Sequence, residues 1–371
     1  MHRQPLRAGL RVAAWMLLAP LACGAGPRQI RLGIIAPSDE ADSPGILRGA
    51  RLAIAEANEE PGAAVALEVR SEAGQWGTAG NDAVVLVGEK HVDAIIAPSD
   101  GAANHLVLQV SGRMRVPVAS LSSDSSVMET GVPWAVCIVP RADLEIEALF
   151  GAPRLDPSSP DWWAIVPTEH PGRAVRHDLA RAVRSTGARL GRTLEAGAPG
   201  SDVTPMVRLI VAAAPGGVLV WLPPSQAGAL VAALRRAGFG GTLAGPCSID
   251  SPDFVAAAGA AATGVLVAEF KLGSGAHGRA SRFEERFTLK YGMRPDFSAE
   301  AAYDAVRVLV ENLRKAGEDA GYRQFPPALP TEGITGDIHF EPSGSRAGAL
   351  RILACELGRF VPVNPEEYDR H

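Results

Sequence analysis

Short runs of apolar residues alternate along the chain with segments in which apolar residues recur every three or four positions. Residues 30–36 form the first such run, and helical spacing then extends from Ile46 to Ala57. Short continuous runs are typical of buried strands, and the wider spacing is typical of helices with one face on a core. Three more strands are predicted in the same alternation, at residues 65–69, 93–97 and 116–121. Strands that alternate with helices predict a parallel sheet with helices on both faces.

The alternation stops in a Pro- and Ser-rich stretch, residues 140–160, and then restarts. In this second half Ser225 is expected to cap one helix and Gly187 to end another. Two consecutive helices over residues 283–291 and 303–313 have no strand between them, so they are expected to pack on an existing sheet. The strands predicted after the break are residues 163–166, 190–194, 218–222 and 264–270. The pattern as a whole predicts an α/β fold with two doubly wound parallel-sheet lobes.

The composition excludes several classes of protein. The 371 residues are enough for two domains, and 47% of them are hydrophobic, which excludes a disordered chain. The net charge of −5 argues against a nucleic-acid partner, because phosphate binding needs clustered Lys and Arg. Four Cys residues are too few for a disulfide scaffold, and no internal apolar run reaches the roughly 18 residues of a membrane span.

The N-terminus has the pattern of a secretory signal peptide. Three Arg residues precede the apolar run of residues 12–22, and small residues follow it. Residues 1–25 are therefore expected to be a signal peptide that exports the chain. Two cleavage routes fit the sequence: lipidation of Cys23, which then becomes the N-terminus, and ordinary cleavage after Gly24 or Ala25.

Few residues form a pattern known from catalytic, metal or cofactor sites. The sequence has no GxSxG, P-loop or HExxH motif, so no catalytic residue, metal ligand or cofactor is predicted. A formal GxGxxG at residues 273–278 lacks the following strand that a dinucleotide site needs, and is interpreted as a flexible connector. Cys137, Cys247 and Cys355 are odd in number and include no CxxC pair, so buried free thiols are expected.

Polar residues cluster at the carboxyl ends of the predicted strands, the edge at which open α/β sheets bind ligands. Ser and Asp are also ordinary helix caps at such positions, so each residue alone has two interpretations. Their clustering favours a site for a small polar or anionic ligand. The candidate ligand-binding residues are Ser99, Asp100, Ser122, Ser123 and Asp124 in the first half and His170, Trp221, Cys247 and Asp250 in the second.

Four stretches of the chain carry a family resemblance. They are residues 31–35 with 45–53, residues 92–120, residues 291–305 and residues 334–344. Through them the chain resembles the type I periplasmic substrate-binding proteins, close to the leucine/isoleucine/valine-binding branch that serves ABC importers. The stretches are similar to that family's opening strand and helix, first-lobe ligand region, paired helices and closing hairpin.

The resemblance implies two lobes joined by three crossings, near Pro140, Leu272 and Gly336. It implies a binding protein rather than an enzyme: a periplasmic monomer that closes on a small molecule and presents it to an ABC permease in the membrane. The implied lobe 1 is residues 28–140 with 273–335, and the implied lobe 2 is residues 141–272 with 336–371.

Several residues depart from the amino-acid-binding members of that family. By resemblance Ser99 would bind a ligand carboxylate, but Asp124 stands where a second hydroxyl is expected, and two anions repel each other. Cys247 replaces the acidic residue that meets the ligand ammonium, with Asp250 as the nearest acid, while Trp221 keeps an aromatic ring. These changes disfavour an ordinary α-amino acid and favour a neutral, aromatic or cationic small molecule.

Three functions remain open at this point. The first is the solute-binding subunit of an ABC importer. The second is a ligand-sensing or accessory protein of the same fold, without a dedicated permease. The third is an exported enzyme that uses Ser99, Asp124 or His170, and it requires a nucleophile and a base within hydrogen-bond reach.

Overall fold

The computed structural model describes the chain in seven stretches. Three expectations lie outside them: the signal peptide of residues 1–25 with Cys23, the crossing near Leu272, and the part of the GxGxxG motif that precedes Ala276. The described stretches are residues 29–37, 44–72, 78–152, 161–168, 170–270, 276–316 and 321–363.

The described residues fold into alternating strands and helices, as the apolar pattern predicts. The strands are β1 Gln29–Pro37, β2 Ala64–Glu72, β3 Ala94–Ala97, β4 Val118–Ser120, β5 Ala135–Cys137, β6 Asp161–Pro167, β7 Arg189–Ala196, β8 Gly217–Val220, β9 Thr242–Ala244, β10 Leu266–Phe270, β11 Thr331–Gly333, β12 Gly336–Phe340, β13 Arg346–Ala347, β14 Leu350–Glu356 and β15 Arg359–Pro362. The helices are α1 Pro44–Glu59, α2 Thr78–Gly88, α3 Gly101–Met114, α4 Ala142–Phe150, α5 His170–Thr186, α6 Thr204–Ala213, α7 Pro224–Arg236, α8 Pro252–Ala258, α9 Ala276–Tyr291 and α10 Phe297–Ala316.

The first sheet is entirely parallel, in the order β2-β1-β3-β4-β5. Its strands are short and apolar; Ile30, Leu32 and Ile34 of β1 are fully buried. Helices α9 and α10 join the core of this sheet through Phe287 and Leu309, among other residues. The expectation that two consecutive helices pack on an existing sheet is therefore confirmed.

The second sheet has the order β15-β14-β10-β9-β8-β6-β7. Its strands from β10 to β7 are parallel, and β14 and β15 extend one edge in the antiparallel sense. Successive residues of β10 enter different core clusters, because Val267 lies in one and Leu266 and Ala268 lie in the other. The sheet is thus covered on both faces, which confirms the second doubly wound lobe.

The chain passes between the two sheets three times. It leaves the first sheet after β5, returns to the first core with α9 after β10, and enters the second sheet again with β14. Before that last passage β12 still belongs to the first core, since Ile338 packs there and Cys137 of β5 bridges to Ser345.

Two local predictions are wrong. The Pro- and Ser-rich stretch contains the nine-residue helix α4, which buries Ile146 and Leu149. The prolines of this stretch lie outside the helix, so its presence was not predicted. Ser225 does not cap α7, because the helix begins one residue earlier, at Pro224. Proline is well suited to the first helical position, where its missing N–H is not needed.

The three described cysteines, Cys137, Cys247 and Cys355, are free and buried, as expected. Within the described stretches no helix is both long and apolar enough to cross a membrane. The candidate ligand-binding residues follow the strands of the two sheets, at the edges where the sheets meet.

Candidate functional site

The loops that follow the strands of the two sheets contact each other along a line called here the interlobe seam. At one end the Ser125 hydroxyl, just after β4, donates to the Asp178 carboxylate on α5. At the other end the Phe297 N–H of α10 donates to the Asp250 carbonyl, 3.1 Å away, in the loop after β9. Residues from both lobes thus face one another across the carboxyl edges of the strands, where α/β sheets bind ligands.

Asp100 and Asp124 come together at the N-terminus of α3. Asp100 caps this helix by accepting the Ala103 N–H at 2.8 Å. Asp124 accepts the N–H and the hydroxyl of Ser126 at 3.0 and 2.7 Å. A Cβ added at Gly101 would lie 2.3 Å from an Asp124 carboxylate oxygen, so that carboxylate lies directly against the start of the helix. Both aspartates act as caps here, and their role toward a ligand stays a prediction.

The serines of this edge differ in exposure. Ser99 is exposed, whereas Ser122 is buried and its hydroxyl accepts the Asp124 N–H at 3.3 Å. Ser123 is half-buried, and its carbonyl accepts the Ala142 N–H of α4 at 2.8 Å. Ser122 and Ser123 therefore shape the loop through the bonds they make, while Ser99 has a surface that a ligand can reach.

The candidates on the second sheet are more enclosed. Trp221 is only 7% exposed and packs in the core cluster that also holds Trp162. Cys247 is buried, and burial raises the pKa of its thiol well above the usual range. His170 is the first residue of α5, and its side chain lies outside the described part. The placement of Trp221 does not favour the stacking role expected for it, and the ligand-binding roles of all three stay predictions.

Asp250 lies on the seam beside a groove of about 350 Å³. The groove is lined by both lobes, with Ser251 on one side and Met293 and Arg294 on the other. Burial raises the pKa of the Asp250 carboxyl to about 6, although the Arg294 charge opposes the shift. Asp250 is therefore a predicted site residue that lines a groove between the two lobes.

Three further carboxylates at the seam were missed by sequence reasoning: Glu145 on α4, Glu269 on β10 and Glu300 on α10. Burial raises the pKa of Glu145 and of Glu269 to about 8, and raises that of Glu300 well above its usual range. Glu269 is the lone acidic side chain of the apolar strand Leu266–Phe270, and that isolation was the available signal, because a buried charge is retained at a cost. Glu145 and Glu300 have other acidic residues in their helices and offered no such signal.

The Ser125 end of the seam is also acidic. Asp178 is 1% exposed, and burial with the charges of Asp143 and Asp124 raises the pKa of its carboxyl to about 6. Arg181 of α5 pairs with Asp143 at 3.2 Å and with Glu129 of the first lobe. This end therefore holds the lobes together by direct polar contacts.

A serine, a histidine and an aspartate lie together at this edge, but in the wrong order for nucleophilic catalysis. The Ser126 hydroxyl donates to Asp124 at 2.7 Å, and His105 Nε2 lies 3.0 Å from the same hydroxyl. In a catalytic triad the imidazole stands between the hydroxyl and the carboxylate. Here the serine stands between the other two groups, so the carboxylate does not hold the imidazole as it does in a triad. Among the described residues no group of three His, Cys, Asp or Glu side chains could hold a metal ion.

The fold and seam can be compared with known proteins. A family model described as periplasmic binding protein matches residues 29–349 of the chain. This chain belongs to the periplasmic binding protein family. The match covers all of the first sheet and the parallel strands of the second, and it ends just before β14.

Solved structures of low sequence identity share the fold of this periplasmic binding protein. LivJ, a branched-chain amino acid transporter substrate-binding protein from Streptococcus pneumoniae in complex with isoleucine, aligns with a TM-score of 0.78 and 16% identity over 90% of this chain and 98% of that one. The leucine-binding protein LivK from Thermotoga maritima aligns with a TM-score of 0.77 and 17% identity over 91% of this chain and 99% of that one. A solute-binding protein of an ABC transporter from R. palustris, in complex with benzoate, aligns with a TM-score of 0.78 and 14% identity over 90% of this chain and 95% of that one.

No curated protein sequence matches this periplasmic binding protein. The neighbours bind ligands as different as isoleucine and benzoate, so the shared fold leaves the ligand open. The ligand must be inferred from the residues of this chain's own seam.

Proposed function

We propose that this chain is an exported solute-binding protein that captures a small molecule between its lobes and delivers it to an ABC importer in the membrane. The observation that carries the proposal is the interlobe seam, where polar groups of both sheets meet at the carboxyl edges of their strands. Membership of the periplasmic binding protein family supports it. Closure of two lobes on a solute buries it and creates a surface that differs from the open form.

We also propose the lobe boundaries from the packing. Lobe 1 is residues 28–140 with a second segment from residue 273, and lobe 2 begins at residue 141. The expected third crossing at Gly336 moves to about Gly348, because β12 and β13 pack with the first core. The protein works as a periplasmic monomer, and light scattering of the purified chain tests that state.

The function is tested by identifying the natural solute and following its uptake. The chain is purified from the periplasm of its own cells and denatured, and mass spectrometry identifies the released small molecule. Uptake of that molecule, in labelled form, is then compared in wild-type cells and cells that lack the chain. We expect uptake to fall at least tenfold and to return with the wild-type chain. Unchanged uptake would contradict the importer role and favour a sensor of the same fold.

A further inference from the structure

Four carboxylates meet where the edge of the second sheet contacts α10; together they are called the carboxylate niche. They are Glu145, Asp250, Glu269 and Glu300. Asp250 and Glu269 influence each other by charge, Glu269 acts on Glu145, and Glu300 is influenced by both Asp250 and Glu269. Three come from the second lobe and Glu300 from the first, so the niche spans the seam.

Backbone contacts fix this arrangement. The Phe297 N–H donates to the Asp250 carbonyl at 3.1 Å, which ties the first turn of α10 to the loop after β9. Glu300 lies one residue short of a full turn further along α10 and is held beside that loop. Glu269 is the penultimate residue of β10, at the carboxyl end of the strand. Elements with defined packing thus place acids of two lobes together.

Glu269 and Glu300 are partly exposed rather than enclosed in a core. Both keep part of their surface accessible to water, although burial raises the pKa of each. A core side chain would lose all of that surface, and a side chain on the open surface would not be desolvated. Partial exposure together with a raised pKa is typical of carboxyl groups at the wall of a narrow cleft.

Glu145 gives an independent sign of a ligand at the inner end of the niche. Its side chain is 0% exposed, and Oε2 accepts the Cys247 N–H at 2.7 Å. The other oxygen, Oε1, has no hydrogen-bond partner among the described residues. A buried carboxylate oxygen without a donor is costly, and a donor supplied by a bound solute removes that cost.

The charges of nearby arginines lower the pKa of Asp250 and of Glu269, but burial outweighs them and both pKa values stay raised. Arg351 lies directly across from Glu269 in the β10–β14 pair, yet the two form no ion pair within 4 Å in the described part of the chain. Arg294 pairs with Glu284 at 3.4 Å. Arg346 stacks on the Phe270 ring at 4.2 Å and donates to Thr335 at 2.7 Å.

We propose that the solute is a compact organic cation, an amine or guanidinium compound, whose charged group binds among Glu145, Glu269 and Glu300. This inference rests on the proposed function, because it names the substrate class of the same interlobe site. A cation stabilises the ionised form of these carboxyls, so its binding releases protons that burial holds on them, and its N–H groups donate to the unpartnered Glu145 oxygen. A neutral solute can donate a hydrogen bond but brings no positive charge, and an anionic solute brings a charge that ionised carboxyls repel.

The proposal is tested by titration calorimetry on the mature protein with pairs of probes that differ in charge and little in shape. The cations are L-arginine, putrescine and phenethylamine, and their neutral counterparts are L-citrulline, 1,4-butanediol and phenethyl alcohol. L-Leucine and benzoate complete the panel. We expect at least one cation to bind, and its neutral counterpart to bind at least about a hundredfold more weakly.

Variants locate the binding to the niche. Glu269→Gln and Glu300→Gln keep the side-chain shape and cannot ionise when a cation binds, so each should weaken binding of the cation about tenfold or more. Glu89→Gln, at an exposed turn residue, is the matched control and should leave the affinity unchanged. Circular dichroism shows that each variant is folded. Unchanged cation affinity in both niche variants would overturn the proposal.

The panel separates failure of this inference from failure of the proposed function. Binding of L-leucine, benzoate or a neutral probe with no binding of any cation overturns the cationic ligand and leaves the solute-binding function standing. No binding by any probe overturns the cationic ligand, while the mass-spectrometric identification of a natural solute still decides the function. Binding of a cation that depends on Glu269 and Glu300 supports both.

Discussion

At the scale of single residues, Glu145 shows how burial links this protein's stability to pH. Its carboxyl has a pKa of about 8 in the folded chain, raised from 4.5 by burial, with Glu269 on β10 and Asp178 on α5 adding like charge. Between those two values the folded chain keeps a proton that the unfolded chain has lost. The free energy of unfolding therefore falls as the pH rises from about 4.5 to about 8.

This linkage predicts that Glu145→Gln flattens the pH dependence of stability. In the wild-type chain one such group lowers the free energy of unfolding by up to about 1.4 kcal/mol per pH unit. The glutamine cannot ionise, so its contribution to the slope disappears. Urea unfolding at pH 5, 6, 7 and 8 measures the slope, with Glu89→Gln as the exposed control. A slope in Glu145→Gln equal to that of the wild type would contradict the burial of an ionisable Glu145.

The residue scale also shows what the sequence could and could not reveal about the site. The clustering of polar residues after strands predicted a site at the sheet edges, and Asp250 lies on the seam there; its role toward a ligand stays a prediction. Glu145 was hidden inside an unrecognised helix, and Glu300 inside a recognised one. Their proximity depends on long-range packing between lobes, which local patterns do not encode.

At the scale of elements, α1 and α10 pack in close backbone contact. The Tyr303 hydroxyl of α10 donates to Glu56 of α1 at 2.5 Å. A Cβ added at Gly49 would lie 2.0 Å from the Ala299 carbonyl oxygen, closer than any side chain can approach. Glycine at this position therefore lets the paired helices sit against the first sheet at their observed distance.

We predict that Gly49→Ala destabilises the chain by about 1–3 kcal/mol, because α1 and α10 must separate to admit the methyl group. The matched control is Gly88→Ala at the end of α2, where an added Cβ meets nothing within 4 Å. That control should change stability by less than about 0.5 kcal/mol. Thermal unfolding of both variants measures the difference, and equal effects would contradict the close contact.

Element prediction from the sequence succeeded for the long elements and missed two of the shortest strands. β1 and β2 have nine residues each and were recognised, as were α9 and α10 with 16 and 20. β5 and β9 have three residues each, too few for any periodicity to appear. β4 also has three residues, but it lies inside a longer apolar run, residues 116–121, and was recognised. Such short strands exist because tertiary packing holds them, and their own sequence does not specify them.

At the scale of the whole molecule, direct polar contacts tie the lobes at the Ser125 end of the seam. Ser125 of the first lobe donates to Asp178 of the second, and the ion pair between Arg181 and Glu129 lies on the same pair of elements. These contacts favour the closed arrangement of the lobes. A protein that must close to hold its solute gains affinity from any contact that favours closure.

We predict that Ser125→Ala weakens solute binding by about tenfold, because it leaves the buried Asp178 carboxylate without its donor and shifts the lobes toward an open form. Ser201→Ala, at an exposed serine, is the control. Titration calorimetry with the natural solute measures both affinities. Equal affinities in Ser125→Ala and the wild type would show that this bond does not control closure.

The two-lobed architecture could be predicted from the sequence, because alternating strands and helices specify parallel sheets in a general way. The exact passages between the lobes could not, since β12 and β13 pack with the first core through contacts such as Cys137 with Ser345. The acidic character of the carboxylate niche is likewise a property of the assembled molecule, because Glu300 of one lobe lies near Glu269 of the other.

A crystal structure of the mature protein with its natural solute tests the central claim most directly. The account predicts a solute enclosed between the lobes, with a cationic group in hydrogen-bond contact with at least two of Glu145, Glu269 and Glu300. A solute bound outside the interlobe seam, or one within it that leaves all three carboxylates untouched, would contradict the account.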